Sequence, residues 1–195
     1  LKIVGRKPLK GDVQIPADKS ITHRSIMFAS LSQGETTIDA PGAGADNDST
    51  AELFRSLGVS IDRRPDGWVV RGNGLDGLKE TSEVIDCGNS GTTIRLVSGI
   101  LAGAGLNAQL TGDHSLCKRP MGRIAKPLRA MGASIEGKMV DGKELPPLSI
   151  APASLEGGEW TQSVASAQVK SALLFNPFVD SKHLRGKDWL PIFLI

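Results

Sequence analysis

The sequence contains no tyrosine, and aromatic residues make up only 4% of it. Its core must therefore be aliphatic, and it has few rings on which bases could stack, which argues against single-stranded nucleic acid as a ligand. There are two cysteines, Cys87 and Cys117, without metal-ligand spacing to the three histidines. A disulfide scaffold and a zinc site are thereby disfavoured, and the pair reads as free thiols of a reducing compartment. Neither sign of charge prevails: 23 basic residues face 21 acidic ones, and no block of like charge forms a polyanion-binding tail. No apolar run reaches membrane-spanning length, and we expect no charged-then-apolar leader. These absences lead us to expect a cytoplasmic protein with no nucleic-acid, membrane or metal partner. Its apolar fraction of 39% suffices for an ordinary core, in one large domain or two small ones.

The informative stretch is Asp18 to Leu31, DKSITHRSIMFASL. Pro16 closes an extended segment before it, and Asp18 or Ser20 can cap a helix N-terminus. Lys19 and Arg24 then stand near free backbone N–H groups and the positive end of the helix dipole. Two cations, two hydroxyls and a helix start fit a phosphate site, while an ordinary amphipathic helix with a polar first turn fits the same residues.

Along the chain, strand signals before Ile15 lead into this helix, which Gly34 stops, and Glu35–Ile38 resumes as a β-branched strand. A Gly/Pro/Asp loop leads to a second helix near Asn47, followed by two short strands joined at Pro65-Asp66-Gly67. The same order of events then recurs. A helix opens at Asn89-Ser90-Gly91-Thr92 and runs to Leu101, a strand follows, and a helix spans about Met121 to Met131. A third helix start lies at Ser163–Leu174. Aligned on one another, Ser20, Ser90 and Ser166 coincide, as do Thr22, Thr92 and Gln168, at spacings of about 70 to 76 residues. The pattern predicts copies of one α/β unit whose helix starts gather into a polar pocket.

PADKSITHR, GETTI, GNSGTTIRL, the run from Lys118 to Arg123, and SAQVKSALL occur in this order, and together they resemble the enolpyruvyl transferase superfamily and, within it, the EPSP synthase family. The resemblance covers Leu1 to about Leu174. It implies an inside-out α/β barrel type of fold built from repeated βαβαββ units, here two units and the start of a third. Residues 1–15 would be strands of a second domain, 16–175 an incomplete transferase domain, and 176–195 an atypical tail. The implied reaction transfers the enolpyruvyl group of phosphoenolpyruvate to the 5-hydroxyl of shikimate-3-phosphate and releases phosphate, with glyphosate as inhibitor and no cofactor. By the same resemblance, shikimate-3-phosphate would be held by Lys19, Ser20, Arg24, Ser166 and Gln168. Phosphoenolpyruvate would be held by Lys19, Gly91, Arg119 and Gln168. Two phosphates and a carboxylate call for several fixed cations, and arginine forks match both groups.

Plainer readings stand beside these. Arg119 before Pro120 also fits a solvated loop cation; His23 and His114 fit polar neighbours rather than bases; Arg123, Lys126 and Arg129 fit a solvated helix face. The sister family acting on UDP-N-acetylglucosamine has a reactive cysteine in the loop of Cys117, but here the spacing to Arg119 is shorter, and we read Cys117 as incidental. Leu96 stands where some relatives have proline. Members of the family are longer, and Phe175-Asn176-Pro177 breaks their pattern, so we expect a truncated or frame-shifted chain. The acid–base groups would then lie in a missing second domain, leaving this chain weak or inactive unless a complementary half or self-association completes it. The alternatives are the nucleotide-sugar transferase, or a non-catalytic half that binds phosphorylated metabolites.

Overall fold

The computed structural model describes residues 10–12, 15–40, 42–156, 160 and 165–175. The expected strands before Ile15 and the atypical tail fall almost wholly outside these residues.

The chain builds one motif twice. In the first copy α1 (Lys19–Leu31) leads to β1 (Gln33–Asp39), α2 (Ala45–Ser56), β2 (Ser60–Arg64) and β3 (Gly67–Asn73). In the second, a short β4 (Ile85–Asp86) precedes α3 (Gly91–Ala104), β5 (Ala108–Thr111), α4 (Gly122–Ala130), β6 (Ser134–Val140) and β7 (Lys143–Ala151). A third start, α5 (Ala167–Phe175), follows. The repeat read from the sequence is thus present as repeated topology. Strand order is β1-β3-β2 in one sheet and β4-β5-β7-β6 in the other, so each copy inserts its last strand between the two before it. All pairings are antiparallel except β4 with β5. The fold is α/β, and the described strands form two open sheets rather than a closed barrel.

Local chemistry explains the elements. Thr36-Thr37-Ile38 supply the β-branched side chains of β1. The β6–β7 hairpin turns on Asp141 and Gly142, both at positive φ (49° and 73°), as a two-residue Asp-Gly turn requires. Gly105, at φ 63°, ends α3 in the left-handed conformation. The second helix begins at Ala45, two residues before the expected Asn47, and the third runs to Ala104, beyond the expected Leu101.

Helix α3 is buried on nearly every side and touches α1, α2, α4 and α5 as well as β5 and β7. A helix apolar all round belongs inside. One aliphatic cluster, including Ile26, Met27, Leu53, Ile94, Leu101 and Ile135, runs through both copies. Gly99 lets α5 come against α3: a Cβ there would stand 2.0 Å from the Ala172 carbonyl oxygen. This close approach fixes α5, and with it Gln168, beside the start of α3. Glu144, buried in β7, accepts from the Arg129 guanidinium and from the Gly137 N–H. Arg129 therefore ties α4 to the second sheet and is not part of a plain solvated face.

Candidate anion site at the helix starts

The N-caps correct one alignment read from the sequence. Ser90 caps α3, its Oγ accepting the Thr93 N–H at 3.1 Å, and the Ser166 Oγ accepts the Val169 N–H at 3.3 Å in α5. In α1, however, the cap is Asp18, whose Oδ1 accepts the Ile21 N–H at 2.7 Å. Ser20 is the second helical residue and does not correspond to Ser90 and Ser166. A carboxylate is a stronger acceptor than a hydroxyl for the free N–H groups of a first turn, so Asp18 wins the position. Corrected for this, Ser20, Thr92 and Gln168 coincide, and the last two touch: Gln168 Nε2 donates to Thr92 Oγ1 at 3.1 Å.

Around the start of α3 the structure gathers Gly91, Arg119 and Gln168 with Arg95, which the sequence did not single out. Arg95 Nη1 donates to Gln168 Oε1 at 2.9 Å and to the Gly91 carbonyl at 3.3 Å. Arg119 Nη2 donates to Asn89 Oδ1 at 2.6 Å and to Ser115 Oγ at 3.2 Å, while its Nη1 donates to the Asn89 carbonyl at 3.2 Å. Arg119 is thus a held cation, not a loose loop residue. A Cβ on Gly91 would lie 2.6 Å from Arg95 Nη1 and 3.3 Å from Arg119 Nη1, so both guanidiniums close on that glycine. Burial pulls the Arg95 guanidinium below its ordinary value, and the charges of Arg119 and Arg123 pull it further. The signal for Arg95 lay in GNSGTTIRL: it follows Gly91 by four residues and so returns to the same helix face.

At the start of α1, Lys19 Nζ pairs with Asp46 Oδ2 at 2.8 Å, and Asn47 Nδ2 donates to the Lys19 carbonyl at 3.0 Å. Ser20 is exposed, and its carbonyl accepts from Arg24 Nη1 at 3.1 Å. Arg24 Nη2 reaches Ser171 Oγ in α5 at 2.8 Å, and burial lowers its pKa from the ordinary value. The two starts are joined inside the protein. Thr93 Oγ1 donates to Ser90 Oγ, Thr50 Oγ1 lies 2.7 Å from Thr93 Oγ1, and His23 Nδ1 lies 2.7 Å from Thr50 Oγ1. With Thr93 as donor to Ser90, Thr50 donates to Thr93 and the His23 Nδ1–H donates to Thr50. His23 Nε2 is then a buried acceptor without a partner among the described residues. Burial holds the imidazole pKa down at about 4.

Leu96 is fully buried and belongs to the aliphatic core. The half-buried Cys117 thiol donates to the Gly112 carbonyl at 3.2 Å. Cys87 is buried, its thiol pushed up to about 12 by desolvation and then by Asp86. Among the described residues there is no cluster able to hold a metal ion, and no helix long and apolar enough to cross a membrane.

Repeated α/β units here bring two arginines to a glycine-opened helix start, an arrangement whose charge and free N–H groups suit an anion. Comparison with known proteins gives the family. The family model described as EPSP synthase (3-phosphoshikimate 1-carboxyvinyltransferase) matches residues 3–189, past Leu174 where the recognisable motifs end. A 3-phosphoshikimate 1-carboxyvinyltransferase of Bacillus subtilis is 49% identical over 166 residues, covering 85% of this chain and 38% of the relative. One of Geobacillus kaustophilus is 52% identical over 168 residues, again covering 85% and 38%. The solved structure of EPSP synthase from Acinetobacter baumannii superposes with a TM-score of 0.80 at 42% identity, over 88% of this chain and 39% of that one. The chain belongs to the EPSP synthase family, and it spans about two fifths of the length of these relatives.

Proposed function

We propose that this chain forms the part of an enolpyruvyl transferase site that holds phosphoenolpyruvate and shikimate-3-phosphate. The observation carrying the proposal is the pair of guanidiniums, Arg95 and Arg119, that close on Gly91 at the start of α3 and, among the described residues, rest on neutral oxygens. Phosphoenolpyruvate would lie there, reached by Gln168 from α5 and by Lys19 from α1. Shikimate-3-phosphate would lie toward Ser20, Arg24, Ser166 and Gln168. In the reaction the 5-hydroxyl oxygen gives up its proton and attacks C2 of phosphoenolpyruvate while the methylene C3 gains a proton; the tetrahedral intermediate then loses phosphate from C2 and a proton from C3, which restores the double bond. This chain's part is to fix the two anions and orient C2 toward the hydroxyl. Placed proton donors and acceptors add about 10²–10⁴-fold to such a step, and the resemblance assigns them to a second domain. We therefore expect binding by this chain, and turnover only when a complementary segment or a second copy supplies the rest. The two free thiols support a reducing, cytoplasmic setting, and glyphosate would compete with phosphoenolpyruvate at Gly91.

The test is phosphate release by the purified chain with both substrates, together with thermal unfolding in the presence of each substrate. Stabilisation by shikimate-3-phosphate and phosphoenolpyruvate, lost in Arg119→Ala, supports the site. No stabilisation by either ligand, with the chain folded, overturns it.

A further inference from the structure

We propose that Asp113 is a positioning residue for Arg119 that acts through Asn89: its carboxylate decides which way the Asn89 amide faces, and the amide decides where the guanidinium rests. The inference rests on the reading of Arg119 as an anion-binding group. Asp113 follows β5 in the loop that leads to the short 3-10 turn Leu116–Lys118 and then to Arg119. Its Oδ2 accepts from Asn89 Nδ2 at 2.7 Å and its Oδ1 from the Leu116 N–H at 2.7 Å. Its backbone N–H donates to the Gly88 carbonyl at 2.9 Å and its carbonyl accepts the Cys117 N–H at 2.9 Å. One residue thus joins the loop before α3 to the turn that delivers Arg119.

The donor and acceptor roles follow from the chemistry of the groups. An ionised carboxylate only accepts, so Asn89 must present its NH₂ to Asp113 and keep Oδ1 for Arg119. The two ends of an amide are nearly the same size, and nothing in its shape alone sets the orientation. With the amide reversed, its NH₂ would face the guanidinium, donor against donor. The hydrogen bonds from Asn89 and from the Leu116 N–H hold the Asp113 carboxyl below the usual carboxylate range, so it is ionised at neutral pH. The arrangement also keeps the negative charge one residue away. A carboxylate placed directly on Arg119 would neutralise the cation, whereas the intervening amide transmits orientation and leaves the charge on the guanidinium.

The test uses Asp113→Asn in the full chain, with two readouts by NMR: titration with phosphoenolpyruvate, and rotation and exchange of the Arg119 side-chain N–H groups. The substituted side chain keeps an oxygen for the Leu116 N–H but turns an NH₂ toward Asn89. We expect about a tenfold loss of phosphoenolpyruvate affinity, faster guanidinium rotation, and no further loss when Asp113→Asn is added to Arg119→Ala. A second variant, Asn89→Ala, removes the intermediary while leaving the bonds of Asp113 to Leu116, Gly88 and Cys117 in place, and should free the guanidinium equally. Unchanged Arg119 dynamics in both variants overturns the inference, as does an affinity loss of equal size with and without Arg119. If Arg119→Ala binds phosphoenolpyruvate like the wild type while Asp113→Asn still frees the guanidinium, positioning stands and the anion reading of the site fails.

Discussion

Lys19 at the start of α1 and the two arginines at the start of α3 are held in opposite ways. At α1, Lys19 is paired with a carboxylate, Asp46, at 2.8 Å. At α3, Arg95 and Arg119 rest on amide, carbonyl and hydroxyl oxygens, and among the described residues neither forms an ion pair. Neutral acceptors orient a guanidinium without cancelling its charge. The guanidiniums at the start of α3 are therefore fixed with their charge uncancelled, and under the proposed function an arriving anion meets cations that need not first be released. At the start of α1 Lys19 is occupied until something displaces Asp46, while Arg24, one turn on, rests on the Ser20 carbonyl and Ser171 Oγ. Two helix N-termini built by one repeat thus differ in readiness, and the difference lies in what their cations touch.

The largest expected effect concerns the link between the two starts. The chain Ser90–Thr93–Thr50–His23 is fully buried, and burial of the His23 ring disfavours its charged form. The folded-state pKa of His23 is about 4 against 6.5 for a free histidine, with burial as the main cause. Between these values the unfolded chain binds a proton that the folded chain does not. Stability therefore falls as pH drops from about 6.5 to about 4, by up to roughly 3 kcal/mol, and this contribution is constant above and below that window. Urea unfolding at pH 7, 5 and 4 measures it. His23→Gln should flatten the profile; a slope unchanged in that variant would assign the acid sensitivity to other groups and break the link between the starts.

Next in size is the contrast between the cations themselves. Arg119→Ala should weaken phosphoenolpyruvate binding about 30-fold, because it removes hydrogen bonds to a charged ligand. Lys19→Ala should cost clearly less, since Lys19 must leave Asp46 before it can bind. Equal losses in the two variants would erase the distinction drawn here. Gly91→Ala sharpens it. The new Cβ would meet Arg95 Nη1 at 2.6 Å, which is the far end of a flexible side chain, so the fold should persist while the guanidinium moves off its seat. We expect about a tenfold loss of affinity with little change in Tm. Unaltered affinity would mean that Arg95 finds an equivalent position.

The sequence made the repeat legible because each copy opens its first helix with a small polar cap and follows its second helix with a glycine at positive φ, Gly58 and Gly132. Gly34, read as the stop of α1, instead lies in β1, and Ser32 caps that helix. Gly91, Arg119 and Gln168 were legible through motifs, and the structure brings them together. What escaped was set by contacts distant in sequence. Asp18 and Ser20 are both good caps, and only the backbone geometry shows that Asp18 takes the role. Arg95 looked like one polar residue in an apolar helix until α5 brought Gln168 against it across the Gly99 contact. His23 reads as an ordinary polar neighbour, because Thr50 and Thr93, which engage it, lie in other elements. Helix periodicity likewise placed Arg129 on a solvated face, while its partner Glu144 sits on a different strand.

The smallest expected effect tests the Lys19 side of the comparison directly. Asp46 is only part-buried and Lys19 is largely exposed, and a pair of this kind adds at most about 1 kcal/mol to stability. Asp46→Asn should therefore leave the fold nearly as stable as before. It keeps the shape at the start of α2 while removing the charge that occupies Lys19. If the pair masks the lysine, inorganic phosphate should bind the variant about three- to fivefold more tightly at low ionic strength, within the range of one exposed charge interaction, and the gain should shrink as salt screens it. The binding should also shift backbone resonances of Lys19 and Ser20 rather than those of Gly91. Phosphate affinity that stays constant, or a gain confined to the start of α3, would show that Asp46 orients Lys19 without silencing it, and the two helix starts would then differ in geometry alone.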